Sequence, residues 1–97
     1  MSVGTVDTLY ATFDGSPAWN GTYELKYTDH WSNGYYWIYR DSYYWYISES
    51  EFLYQEPYSK AQLVFTEETN PEGNITGIIN PRGNYTGIDG EPNGVVL

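Results

Sequence analysis

Five Asp-Gly or Asn-Gly dipeptides punctuate this chain: Asp14-Gly15, Asn20-Gly21, Asn33-Gly34, Asp89-Gly90 and Asn93-Gly94. Each favours a tight turn, because glycine takes positive φ without steric cost and Asn and Asp tolerate it. Between the turns no long stretch places apolar residues at i, i+3, i+4 and i+7. Tyr, Trp, Thr, Val and Ile dominate the pieces and favour a pleated, half-buried backbone. The pattern predicts strands at Thr8–Phe13, Thr22–Thr28, Tyr35–Arg40, Tyr43–Ser48 and Ala61–Thr66. Glu49–Tyr58 reads equally as a loop or a short helical turn. The expected fold is all-β: a small antiparallel sandwich, meander or partly open barrel, with an extended C-terminal arm.

Residues 35–48 form the clearest element. With Asp41-Ser42 as a two-residue turn, Tyr39 faces Tyr44, Ile38 faces Trp45 and Trp37 faces Tyr46. Cross-strand partners share a face. Tyr36, Ile38, Trp45 and Ile47 then form the core side. Trp37, Tyr39, Tyr44 and Tyr46 form a purely aromatic second face, either exposed as a binding surface or packed as a second small core.

Two domains of composition follow: an aromatic-rich β domain over 1–66 and a Gly/Asn/Pro-rich arm over 67–97. The arm holds a tandem decapeptide, NPEGNITGII at 70–79 and NPRGNYTGID at 80–89. Two copies are too few for a solenoid. The repeat reads as a pair of contact elements centred on Asn74, Ile75, Asn84 and Tyr85, or as a simple duplication forming a hairpin or tail. With few large apolar side chains, the arm is expected to pack loosely by itself. A neighbouring subunit would hold it, with Val95, Val96 and Leu97 adding to a sheet edge.

Chemistry is scarce. The chain has no cysteine and a single histidine, His30, so neither a zinc cluster nor a Cys-His pair can be built within it. His30 reads as an exposed loop residue. No Gly-x-Ser-x-Gly elbow, phosphate loop or EF-hand spacing occurs. The carboxylates are too common to single out a glycosidase pair. Neither catalysis, nor a metal, nor a cofactor is expected. The Asn-x-Thr triplets at Asn20, Asn74 and Asn84 read as turn chemistry. A formal charge of −9 repels a phosphate backbone, which argues against nucleic acid. Neither a signal peptide nor an apolar run of membrane-spanning length is read in the sequence.

What stands out is the aromatic content, 12 Tyr, 4 Trp and 3 Phe. A domain this small cannot bury all of them, and Tyr and Trp suit half-wet interfaces. The stretches Asn20-Gly21-Thr22-Tyr23, Tyr36-Trp37-Ile38-Tyr39 and Trp45-Tyr46-Ile47-Ser48 resemble small aromatic-rich β modules of phage virion and bacterial surface proteins, over residues 20–58. The resemblance implies a structural or adhesive role. The expected function is that of an assembly subunit in a virion, such as a capsid decoration or tail-associated protein, contacting a lattice or its own copies. The alternative is a carbohydrate-binding module using the Trp37, Tyr39, Tyr44 and Tyr46 face.

Overall fold

The structure, a computed structural model, describes residues 7–15, 18–41, 43–49, 59–65 and 81–97. They form eight strands: β1 (Thr8–Phe13), β2 (Gly21–Tyr27), β3 (His30–Ser32), β4 (Trp37–Arg40), β5 (Tyr44–Ser48), β6 (Ser59–Val64), β7 (Gly83–Gly87) and β8 (Gly94–Val96). Each strand pairs antiparallel with the next, and β8 returns to pair with β1, so the meander closes into a barrel. Closure leaves no sheet edge.

Alternation along each strand fills the interior. Leu9, Ala11 and Phe13 point in from β1, Tyr23 from β2, Trp31 from β3 and Ile38 from β4. Trp45 and Ile47, Ala61, Tyr85 and Val96 complete the ring, and all are buried. A fully buried side chain of this size contributes on the order of 2 kcal/mol. At one end Trp19 covers the core, edge-on to Phe13 at 5.3 Å and tilted against Tyr36 at 5.9 Å. At the other end Arg40 does the covering. Its guanidinium lies 4.2 Å from the Phe65 ring centroid, and Nε donates to Asp29 Oδ2 at 2.9 Å.

Two local devices recur. Tyr23 and Tyr85 each donate their hydroxyl to the carbonyl four residues upstream, of Trp19 at 2.7 Å and of Pro81 at 2.6 Å. In both cases a glycine stands two residues before the tyrosine at positive φ, Gly21 at 119° and Gly83 at 152°. A side chain would be strained there. The second device is an Asx turn. Asn33 Oδ1 accepts from the amides of Tyr35 and Tyr36, and Asp41 Oδ1 from those of Tyr43 and Tyr44. Asn33 and Asp41 each also donate their own amide to the carbonyl three residues on.

That second turn corrects the hairpin register. Asp41 is the last paired residue of the first arm and does not sit within the turn. Ile38 therefore faces Ile47 and Tyr39 faces Tyr46, not Trp45 and Tyr44. The cause is the Asp41 carboxylate, which satisfies two amides beyond it and so must precede the turn. The slip moves each partner by two residues, an even number, so the two faces keep their membership.

The C-terminal arm is also corrected. Residues 81–97 are part of the barrel wall, so the boundary at 66/67 does not hold for them. Val95 and Val96 do pair into a sheet, but it is the chain's own barrel: Val96 pairs with Ala11 and Val95 with Thr12. The segment lacks bulk because its neighbours supply it. A Cβ on Gly94 would lie 2.2 Å from the Phe13 ring. Small barrels interleave small and large interior residues in this way. The first repeat copy, with Asn74 and Ile75, lies outside the described residues, as do residues 50–58. Asn84 stands on a strand, not in a turn. His30 is no loop residue: it begins β3, a strand the turn signals on both sides made too short to notice.

Candidate interaction surface

Two regions of the outer wall gather the residues of interest. The first runs over β2 to β5 and is a band of rings. His30 lies between Tyr27 (centroids 4.7 Å apart, 27° between planes) and Tyr39 (5.6 Å, 8°). The band continues from Tyr27 to Trp37 at 6.2 Å, and from Tyr39 through Tyr46 to Tyr44 at 6.3 and 6.0 Å. His30 Nδ1 is 2.9 Å from the Thr28 carbonyl oxygen, which only accepts, so that nitrogen carries a proton. The Tyr46 hydroxyl donates to Asp41 Oδ2 at 3.0 Å. Burial first, then the bond to and charge of Asp41, push its ionisation well above the ordinary tyrosine range.

This band is not the exposed four-ring platform that a sugar-binding face would need. Tyr39 is fully buried, Tyr46 is 7% exposed, and Trp37 and Tyr44 are half-buried. Of the two readings of this face, the packed second layer describes its centre.

The second region wraps around β5 to β8 and on to β1. Outward side chains here are Tyr44 from β5, Gln62 and Val64 from β6, and Asn84 and Thr86 from β7. Val95 follows from β8, then Tyr10 and Thr12 from β1. Two shallow recesses share Asn84 and Thr86, one reaching Thr12, Asp14, Asn93 and Val95, the other Gln62, Val64 and Tyr44. Three apolar side chains stand out from this wall: Tyr10 at 54%, Val64 at 62% and Leu97 at 66% exposure.

Among the described residues these outward positions from Tyr44 round to Tyr10 carry no charge, although the chain carries a formal −9; Asp14 lines the rim of the first recess and Lys60, on β6, lies 3.8 Å from the Glu49 carboxylate. The described carboxylates lie on β2 (Glu24) or in connections at the barrel's ends, among them Asp14, Asp29, Asp41, Asp89 and Glu91. Topology causes the segregation: the turn residues that punctuate the sequence are acidic or amide, and a meander sends every turn to one end or the other.

Of the residues singled out from the sequence, the fold brings Tyr44, Asn84, Val95 and Leu97 to this wall. It sends Trp37, Tyr39 and Tyr46 to the ring band, and Tyr85 and Val96 into the core. Tyr10, Val64, Gln62 and Thr86 are members the sequence reading missed. Their only signal is parity: each is the outward residue of a strand whose inward residues are Leu9, Ala61 or Tyr85. Among the described residues no group of three His, Asp or Glu side chains is placed to hold a metal ion.

The fold and surface of the described residues thus define a small, closed, up-and-down β-barrel with a filled interior and a charge-poor strip of wall. In comparisons with known proteins, no family model, no curated protein and no solved structure matches the chain.

Proposed function

We propose that this protein is a structural subunit that acts by surface contact with other protein subunits, of the kind that decorates or cements a phage capsid or tail. The observation that carries the reading is the charge-poor wall of described residues with Tyr10, Val64 and Leu97 exposed. Depletion of charge together with tyrosine and exposed apolar side chains marks the centre of protein interfaces more than bulk hydrophobicity does. The closed barrel supplies a rigid support for such a wall, and its interior is occupied by its own side chains. The virion setting comes from the sequence resemblance; the contact surface comes from the wall.

Light scattering from about 10 µM to about 1 mM protein, with hydrogen exchange followed in β7 and β8, tests the reading. Mass that rises with concentration, with added protection at Asn84, Thr86 and Val95, supports it. Val64→Glu should remove both effects while circular dichroism stays unchanged. A chain that is monomeric throughout, with exchange identical to that of Val64→Glu, and that is not retained by assembled capsid or tail lattices, overturns it.

A further inference from the structure

A separate recess lies at the end of the barrel where β2 begins, next to the Tyr10 end of the wall. Ala18, Asn20, Thr22, Asn33 and Tyr35 line a space of about 510 Å³. Its walls are held in place. Asn33 Nδ2 donates to the Ala18 carbonyl at 3.2 Å, tying the β3–β4 turn to the β1–β2 connection. The same side chain accepts from the Tyr35 and Tyr36 amides at 2.9 and 2.7 Å, which sets the turn that carries Tyr35. Asn20 Oδ1 accepts from the Phe13 amide. What Asn20 offers to the recess is therefore its Nδ2 group, a donor. Thr22 faces outward from β2 with a hydroxyl that both donates and accepts.

Tyr35 is 80% exposed, an aromatic ring held at the tip of a fixed turn beside an amide and a hydroxyl. Among the described residues no charged side chain lines the space. One ring with a few fixed polar groups suits a ligand with an apolar face and polar edges. A pyranose has that form: axial C–H groups on one face and hydroxyls around the rim. The formal −9 of the chain disfavours anionic sugars.

We propose that this recess binds one unit of a neutral saccharide, with the Tyr35 ring against its C–H face and Asn20 Nδ2 and Thr22 Oγ1 bonded to its hydroxyls. The site adjoins the assembly wall, since Thr22 is the cross-strand partner of Tyr10, but it does not depend on that reading. Preformed walls reduce the ordering that binding requires, but with a single ring the affinity is millimolar.

The twin turn supplies the control. Tyr43 is 72% exposed at the tip of a turn built the same way around Asp41, at the opposite end of the barrel. The experiment is a ¹H–¹⁵N titration of the full chain with cello-, malto- and chito-oligosaccharides, and with a heparin oligosaccharide as the anionic probe. At least one neutral probe should give saturable shifts at Asn20, Thr22, Asn33 and Tyr35. Tyr35→Ala should weaken that binding by about tenfold or more. Tyr35→Phe and Tyr43→Ala should leave it unchanged, with all variants folded by circular dichroism. The proposal is overturned if none of the neutral probes saturates, or if heparin binds the same residues as well. It is equally lost if Tyr35→Ala binds like the parent, or if Tyr43→Ala weakens binding as much.

Discussion

Gly94→Ala tests whether β8 truly closes the barrel. The added methyl would lie 2.2 Å from Phe13 Cδ2 and 2.4 Å from Cγ, whereas ordinary contact begins at 3.4 Å. The ring would have to retreat by about 1.2 Å, the difference between those distances. It has nowhere to go: Trp19 stands edge-on at 5.3 Å and Tyr85 at 6.2 Å. Overpacking of this kind costs roughly 1–3 kcal/mol, and the upper half of that range applies because the obstacle is a buried ring. Gly90→Ala is the comparison. Gly90 has φ +82° but open space around it, so its cost is backbone strain alone, about 1 kcal/mol. Urea unfolding, followed by tryptophan fluorescence and circular dichroism, reads both. Phe13→Leu should partly rescue Gly94→Ala, giving a coupling of about 1 kcal/mol or more between the two sites. If Gly94→Ala falls within about 0.5 kcal/mol of the parent, or if the double variant is additive, Phe13 and Gly94 do not meet and the closure argument fails.

Three further outcomes follow from the same geometry. Tyr85→Phe and Tyr23→Phe should each cost about 1–2 kcal/mol in urea unfolding, because each leaves a buried carbonyl, of Pro81 or Trp19, without its donor. Deleting residues 94–97 should abolish the near-ultraviolet dichroism of the packed core, since Ala11 and Phe13 lose the strand beside them; a detachable arm would leave that signal intact. Burial raises the ionisation of Tyr23 and Tyr85 well above the ordinary tyrosine range. The folded state therefore holds these protons where the unfolded state has begun to release them. Stability should be unaffected by these groups below about pH 10 and fall above it, by about 1.4 kcal/mol per pH unit for each tyrosine. Absorbance at the tyrosinate band should show both rings titrating only with unfolding, and early titration in the folded state would contradict their burial.

How much of this was legible in the residues depends on the range of the interaction concerned. The first strand, Thr8–Phe13, was read to the residue, because alternation and the Asp14-Gly15 stop are local. The two faces of the hairpin were read correctly even though its register was not. Face membership depends only on parity, while register depended on the Asp41 carboxylate taking the position before the turn. Asn33 at the matching place in Asn-Gly-Tyr-Tyr-Trp, against Asp-Ser-Tyr-Tyr-Trp, was an available signal for that. The exposure of the Trp37, Tyr39, Tyr44 and Tyr46 face was not legible, since His30 and Tyr27 reach it from strands whose pairing the sequence does not display.

By itself, then, the sequence determined an all-β chain, its turns, and which side chains share a strand face, all consequences of steric preference within a few residues. Only the tertiary structure decided that residues 81–97 are wall rather than arm, and that a charge-poor strip of described residues runs from Tyr44 round to Tyr10. Glycine and asparagine look like poor core-formers until the partner across the barrel is known. Gly94 lies in the wall because Phe13 fills the space a side chain would take, and that complementarity joins residues near opposite ends of the chain.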